Sequence, residues 1–214
     1  MKKAIIALII ALNIFVGVPA YASSVDTYTV VKGDSLWKIA VKYQVGLSEI
    51  IAANPQFEDP NLIYPGQKVY VPLNNQEVIS YEEQVINLVN QVRAQNGLKS
   101  LTSNWQLSRV ARYKSQDMHD KGYFSHTSPT YGSPFDMIKN FGISYRTAGE
   151  NIARGQRTPQ EVMDAWMTSS GHRANILHSG YTNIGIGCFV QDSCLFWVQA
   201  FSYDTTTGAY VQQP

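Results

Sequence analysis

Three short motifs within residues 125–181 contain the side chains best suited to chemistry. They centre on His126, Glu150 and His172, and aromatic residues are interspersed among them. Imidazole and carboxylate groups are costly to bury unless they are paired or hydrogen-bonded. We therefore expect the three side chains to gather in one polar cleft of an otherwise apolar domain.

The chemistry of such a cleft is open. Two neutral imidazoles and one carboxylate could hold Zn²⁺ with one coordination position left for water. The same groups could transfer protons, could orient a ligand by hydrogen bonds, or could pair only with one another and stiffen their loops. No H-E-x-x-H helix brings the histidines together. His126, Glu150 and His172 are thus candidates for catalysis, metal binding or ligand binding.

The two cysteines, Cys188 and Cys194, lie on either side of a predicted turn between two β-rich segments. No histidine or basic residue stands near either of them in the sequence, which disfavours a catalytic thiol. In an exported chain both cysteines can oxidise. We predict a Cys188–Cys194 disulfide, with a catalytic thiol as the rival interpretation.

The first residues have the pattern of an export signal. Lys2 and Lys3 precede an apolar run over residues 4–18, and an A-x-A cleavage pattern ends at Ala22. The run is short for a membrane span, and an uncleaved N-terminal anchor is the alternative. We predict a signal peptide over residues 1–22 and a secreted mature chain.

The charge of the chain is close to neutral, with 17 Lys and Arg against 16 Asp and Glu. No basic stripe is present, so the sequence argues against nucleic acid as a partner. No polybasic segment indicates binding to anionic lipid. The length that follows the signal suits one mid-sized domain and one small one.

The small unit comes first. Residues 27–31 and 68–71 are β-rich, apolar side chains recur at helical spacing from Leu36 to Tyr43, and Pro55 ends a second helix. This pattern predicts a β-α-α-β unit. A unit of this size has a thin core and depends on strong local signals.

The residues of this unit are specific. Tyr-Thr-Val-Val-Lys-Gly-Asp-Ser-Leu-Trp-Lys-Ile-Ala at 28–40 and Leu-Ile-Tyr-Pro-Gly-Gln-Lys-Val-Tyr-Val-Pro at 62–72 closely resemble the LysM module. The resemblance covers residues 28–72 without a gap. It implies binding to glycans rich in N-acetylglucosamine, chiefly peptidoglycan or chitin.

In the LysM family the glycan groove lies between the loop after the first strand and the loop before the second. The resemblance places these residues of the chain in the groove: Gly33, Asp34, Ser35, Leu36, Asn61, Leu62, Ile63 and Tyr64. Glycine lets backbone amides approach an acetamido group, and apolar side chains cover the C–H faces of a sugar. Leu36 and Ile63 could equally belong to the core.

A short polar linker is predicted over residues 73–80. It lacks the Gly, Ser or Pro content of a flexible tether, so the two parts of the chain are expected to lie close together. A capping-box pattern at Ser80 and Glu83 predicts that the next helix begins there. Later helices are predicted over 104–118 and 134–141 and after Thr158, and strands over 183–190 and 195–203. Helices first and strands last indicate an α+β fold.

The motifs around His126, Glu150 and His172, with Ala-Trp-Met at 165–167 and Ile-Gly-Ile-Gly at 184–187, occur in a characteristic order. Together they resemble the CAP domain, the fold shared by cysteine-rich secretory proteins, antigen 5 and plant pathogenesis-related proteins. The resemblance covers about residues 81–203 and leaves a tail at 204–214. It implies a three-layer α-β-α sandwich.

Animal and plant CAP domains hold two histidines and two glutamates in their cleft. His126, Glu150 and His172 match three of these positions, but Ser169 stands where the second glutamate is expected. Glu161 is the nearest alternative, and its place in a capping box gives it a sufficient structural role. This departure weakens any four-ligand chemistry.

The two resemblances predict a secreted cell-envelope or spore-coat protein. It would bind peptidoglycan through LysM and present a His/Glu cleft for ligand binding or scaffolding, with other envelope or coat proteins as further partners. The alternative is a metal-dependent hydrolase of wall or peptide substrates that uses zinc at His126, Glu150 and His172. The sequence favours the non-enzymatic interpretation, because a wall-lytic glycosidase usually needs two carboxylates across its cleft.

Overall fold

The computed structural model describes residues 22–190 and 194–203. The elements are, in chain order, β1 Ala22–Thr29, α1 Leu36–Tyr43, α2 Leu47–Ala53, β2 Lys68–Asn74, α3 Gln76–Gln95, β3 Thr102–Ser103, α4 Trp105–Asp120, α5 Pro134–Asn140, β4 Thr147–Arg154, α6 Pro159–Thr168, α7 Ser170–Ile176, β5 Asn183–Val190 and β6 Cys194–Tyr203. Residues 1–21 of the predicted signal peptide and the predicted tail lie outside the described residues. Within the described ranges no helix is long and apolar enough to cross a membrane.

The first part of the chain is the predicted β-α-α-β unit. Strands β1 and β2 pair in antiparallel fashion. Helix α1 begins where the Ser35 side chain accepts a hydrogen bond from the Lys38 amide, which satisfies one of the free amides of the first turn. Its apolar face packs with both strands in a core that includes Ile39, Ile50 and Val69.

Residues 73–80 do not form the predicted linker. Strand β2 continues to Asn74, and Asn75 caps a helix that starts at the next residue. Ser80 therefore lies inside α3, and the predicted helix start at Ser80 is wrong. The early start has a packing reason, because Val78 is 2% exposed and belongs to the core of the larger part.

The larger part contains a four-stranded sheet in the order β3-β5-β6-β4. Helices α4 and α5 pack on one face of this sheet. Helices α3, α6 and α7 cover the other face around the fully buried Trp166 and Trp197. This arrangement is the predicted three-layer α-β-α sandwich, and the α+β class is confirmed.

The Ile-Gly-Ile-Gly motif of β5 is explained by close packing of α4. Ile184 and Ile186 point into the core shared with α3, α6 and α7. A Cβ atom added at Gly185 or at Gly187 would collide with the backbone of α4. Glycine at these two positions lets the helix lie directly on the sheet.

The two parts of the chain are in contact, as the sequence predicts. Arg109 on α4 donates from Nε to Glu49 Oε1 at 2.6 Å and from Nη2 to Glu49 Oε2 at 2.8 Å. Glu49 on α2 has only 5% of its side chain exposed, and Arg109 has 17%. A two-point ion pair of this kind fixes both distance and orientation.

Strand β4 is not among the predicted elements. It lies at the edge of the sheet and pairs with β6 in antiparallel fashion, with Glu150 opposite Ala200. Its sequence, Thr-Ala-Gly-Glu-Asn-Ile-Ala-Arg, contains few residues that favour strands. Pairing with the strongly β-forming β6 therefore decides its conformation.

Candidate functional site

The structure brings His126 and Glu150 into direct contact. His126 Nδ1 lies 2.7 Å from Glu150 Oε1. Glu150 projects from the edge strand β4 with 7% of its side chain exposed, whereas His126 lies on the loop between α4 and α5 with 53% exposed. Because Nδ1 faces the carboxylate, the Nε2 edge of the ring is the part that can meet a ligand.

Asp117 holds the loop that carries His126. Its carboxylate on α4 accepts hydrogen bonds from the hydroxyl groups of Tyr123, Ser128 and Thr130, each at 2.6 Å. Burial alone would raise the pKa of Asp117, but these three donors lower it below its ordinary value. The loop is therefore fixed on both sides of His126 by one carboxylate.

Lys114 is the second support of this loop. Its ammonium group donates to the His126 carbonyl oxygen at 2.6 Å, and the residue is only 1% exposed. Burial lowers the pKa of Lys114, and the nearby carboxylates of Glu150 and Asp117 act in the opposite direction. A buried cation thus stands behind the His126–Glu150 pair.

Sequence reasoning missed Lys114 and Asp117, although a signal for Lys114 exists. Lys114 follows the buried Val110 by four residues and precedes the buried Met118 by four. Residues at this spacing share one face of a helix, so Lys114 is a charged residue in a stripe that faces the core. Charged residues are rarely buried without a partner. A lysine on the core-facing side of α4 therefore predicts a buried polar group that binds it.

Asn151 joins the His172 helix to the sheet. This fully buried side chain donates from Nδ2 to the His172 carbonyl oxygen at 3.1 Å and to Gln199 Oε1 at 2.9 Å, and its Oδ1 accepts from Asn175 Nδ2 at 2.8 Å. Helix α7, which carries His172, is therefore anchored beside the strand that carries Glu150.

The two imidazoles have pKa shifts of opposite direction. The hydrogen bond with Glu150 raises the pKa of His126, against the effects of burial and of Lys114. Burial, and then the charge of His126, lower the pKa of His172, so the two rings are near enough to interact. A protonated His126 can donate to a ligand while a neutral His172 accepts, and environments that separate two pKa values in this way suit proton transfer as well as binding.

We expect His126 to titrate at a higher pH than His172 when the ring C–H resonances are followed by NMR. Glu150→Gln removes the carboxylate, so the pKa of His126 should fall toward its ordinary value of 6.5. Because the folded pKa is raised, the stability that this pair contributes is complete below pH 6.5 and is lost as the pH rises through the folded pKa. Glu161→Gln is the matched control, and in this variant the pKa of His126 should stay above that of His172. If His172 titrated at a higher pH than His126 in the parent protein, the surroundings described for the two rings would be wrong.

The predicted zinc site is not supported by the geometry. Across residues 22–190 and 194–203, no three His, Cys, Asp or Glu side chains are grouped so that they could hold a metal ion. His126 and Glu150 are already engaged with each other. Glu161 has a structural role, since its carboxylate accepts from the Arg157 amide at 2.7 Å.

In the first part of the chain, backbone hydrogen bonds join the segments that flank the two loops of the predicted glycan groove. The Val30 amide donates to the Gln67 carbonyl at 3.0 Å, and the Gly66 amide donates to the Val30 carbonyl at 2.9 Å. Leu62 and Tyr64 project from the second loop with 53% and 54% of their surface exposed. Asn61 is exposed as well, and Ile63 is partly buried against the core.

The opposite loop presents backbone rather than side chains. Gly33 has φ +94°, a conformation that favours glycine. The Asp34 carboxylate accepts from the Tyr28 hydroxyl at 2.9 Å, and Ser35 caps α1. Leu36 is 2% exposed and lies in the core, so its predicted side-chain contact with a glycan is wrong and the core alternative holds.

Cys188 on β5 is buried, with 2% of its surface exposed, and lies opposite Trp197 of β6. The side chain of Cys194 lies outside the described residues. The Cys188–Cys194 disulfide stays a prediction.

Two family models match this architecture. The LysM domain matches residues 28–72, and the cysteine-rich secretory protein (CAP) family matches residues 86–201. The second match covers more than half of the chain. The chain therefore belongs to the cysteine-rich secretory protein family, with a LysM module in front.

Individual relatives agree with this assignment. The chain is 58% identical to the uncharacterized protein YkwD of Bacillus subtilis over 124 residues, which is 58% of this chain and 48% of YkwD. It is 49% identical to the spore coat assembly protein ExsA of Bacillus cereus over 45 residues, 21% of this chain and 7% of ExsA. A crystal structure of an extracellular SCP-domain protein from Bacillus anthracis matches with a TM-score of 0.55 and 34% identity, covering 64% of this chain and 47% of that one. The chain thus spans about half, or less, of the length of these relatives.

Proposed function

We propose that this chain is a secreted protein of the cell envelope or spore coat, and that residues 28–72 bind peptidoglycan or another glycan rich in N-acetylglucosamine. One observation carries the proposal. Leu62 and Tyr64 are exposed within residues 28–72, the segment that the LysM domain matches. The spore location is supported by the similarity of the front module to part of ExsA, a spore coat assembly protein.

The chemistry of these loops suits an N-acetylated sugar. The exposed apolar surfaces of Leu62 and Tyr64 can cover the C–H faces of a pyranose ring, and water leaves both surfaces when they meet. On the facing loop Gly33 has no side chain, so backbone amides can approach the acetamido group closely. Each contact is weak alone, and a repeating glycan presents many copies of the same ligand.

The CAP part is proposed to supply a cleft for a ligand or partner of the envelope. The exposed His126 ring is hydrogen-bonded to Glu150, while Lys114 binds the His126 carbonyl oxygen and Asp117 fixes the loop that carries it. A polar group fixed by buried partners is ordered before the ligand arrives, which lowers the entropic cost of binding. Other envelope or coat proteins are the proposed partners of this surface.

The metal-dependent hydrolase is not carried forward as a second function. It required zinc at His126, Glu150 and His172, and the described residues contain no group of three suitable ligands. The binding role needs no metal.

The test is sedimentation of the mature protein with insoluble peptidoglycan. We expect Tyr64→Ala to weaken retention by about tenfold, the loss typical of truncating an aromatic anchor. Tyr70→Ala is the matched control, because Tyr70 is 42% exposed on β2 and outside the two loops. A parent protein that stays in solution, or a Tyr64→Ala variant that sediments like the parent, would contradict the proposal.

A further inference from the structure

A cavity of about 420 Å³ lies between the two parts of the chain. One wall comes from α1 and the start of α2 and includes Trp37. The other comes from the start of α4 and the end of α5 and includes Trp105. The volume falls within the range of about 300–1,000 Å³ for small-molecule sites. The predicted glycan groove contributes none of its eight residues to this cavity.

The two walls are held together by Arg109. In addition to its two bonds to Glu49, Arg109 donates from Nη2 to the Ser48 hydroxyl at 2.9 Å. Its guanidinium carbon lies 4.7 Å from the centre of the Phe141 ring and 5.3 Å from that of Tyr113. A planar cation that is both hydrogen-bonded and stacked loses little further freedom when a ligand binds, so the cavity is pre-formed.

The surface of the cavity combines aromatic faces with neutral polar groups. Trp37 and Trp105 are both partly exposed. Gln106 and Asn140 add carboxamide groups to the lining. Arg109 is the sole charged side chain among the residues that line it, and its charge is balanced by Glu49.

This combination matches a neutral sugar polymer. The C–H faces of a pyranose ring pack against aromatic rings, while its hydroxyl and acetamido groups can both donate to and accept from carboxamides. An anionic ligand would need a cation that is not already paired. A purely apolar ligand would displace water from the carboxamides that it covers without replacing those hydrogen bonds, which is unfavourable.

We infer that this cavity between the two parts of the chain is a second binding site for a glycan of N-acetylglucosamine. The inference rests on the proposed function, because it assigns the same class of ligand to a different place. One glycan strand, or two neighbouring strands, would then contact both the front module and the CAP part. The CAP cleft would thereby be held at a set orientation to the glycan.

The experiment uses the whole mature protein and the N-acetylglucosamine hexamer, followed by amide hydrogen–deuterium exchange. In the parent we expect slowed exchange at residues 105–109 and 140–142 as well as at 33–36 and 61–64. In Trp105→Ala the hexamer concentration needed for half-maximal protection of residues 140–142 from exchange should rise about tenfold, as expected for loss of an aromatic anchor. Protection at 61–64 should stay as in the parent.

Two further variants exclude a general loss of structure. Trp105→Phe keeps an aromatic face and should bind within about threefold of the parent, a difference below 1 kcal/mol. Phe135→Ala removes an exposed aromatic side chain, 46% exposed on α5, that does not line the cavity, and it should bind as the parent does.

The outcomes separate the inference from the proposed function. Protection at 33–36 and 61–64 alone would overturn the second site and leave the proposed function in place. Equal protection of 140–142 in Trp105→Ala and the parent would also overturn it. A parent protein without protection anywhere would overturn both.

Discussion

Replacing Arg112 with methionine should lower the free energy of unfolding by about 3–5 kcal/mol, the usual result of removing one partner of a buried ion pair. Arg112 on α4 donates from Nε and Nη2 to the two carboxylate oxygens of Glu82 on α3, at 2.7 and 2.6 Å. Only 6% and 4% of the two side chains are exposed. Glu82 would keep its buried position and lose its partner. Thermal unfolding of the two proteins, followed by circular dichroism, measures the effect, which we expect to be about 10 °C in a chain of this size.

The effect should grow with pH. Burial raises the pKa of Glu82 to about 7 from an ordinary 4.5, although Arg112 acts against the rise. Because the folded pKa lies above the unfolded one, the stability contributed by this group is complete below pH 4.5 and is lost as the pH rises through 7. Without Arg112 the folded pKa rises further, so Arg112→Met should lose more stability at pH 8 than at pH 5.

Two controls accompany this prediction. The double variant Glu82→Leu with Arg112→Met replaces the whole pair by apolar side chains and should recover most of the lost stability. Arg173→Met changes an exposed arginine and should have little effect. If Arg112→Met unfolded at the temperature of the parent at both pH values, the pair would have no role in stability.

Replacing Arg109 with methionine should separate the two parts of the chain. Burial would raise the pKa of Glu49, but the hydrogen bonds and charge of Arg109 lower it below its ordinary value. Without Arg109 the Glu49 carboxylate would be buried without its counter-charge, at a cost of about 3 kcal/mol. The simplest relief is for α2 to move away from α4 so that water reaches the carboxylate. Amide exchange in residues 47–53 and 105–109 should therefore become faster, and small-angle scattering should show a larger radius of gyration.

The matched control for this prediction is Lys38→Met, which removes an exposed cation from α1 of the same module. It should leave both measurements unchanged. Because the folded pKa of Glu49 is lowered, the contact in the parent is complete above pH 4.5 and should weaken as the pH falls through the folded pKa. Unchanged exchange and an unchanged radius in Arg109→Met would mean that other contacts hold the two parts together.

Several elements were predictable because their signals are local. The side chains of Ser35, Asn104 and Thr158 accept hydrogen bonds from first-turn amides, and each of them begins a helix. Such a cap depends on residues two or three positions apart. The alternation of β5 and β6 is equally local. Signals of this kind determined the front module and most of the helix starts.

Other elements depended on contacts that a local pattern does not contain. Strand β4 has weak β-propensity and is a strand because β6 lies beside it. The helix that follows residue 75 begins earlier than its capping pattern predicts, because Val78 finds a place in the core. In both cases burial against distant elements outweighs local preference.

The sequence by itself determined which side chains are available, namely His126, Glu150, His172 and the exposed residues of the LysM loops. Only the tertiary structure decided their partners. It set His126 against Glu150 across 24 positions of the chain, and it joined Arg109 to Glu49 across 60. Helix caps and hydrophobic periodicity act over a few residues. A buried charge, in contrast, is stable only where the packing of distant elements places an opposite charge beside it.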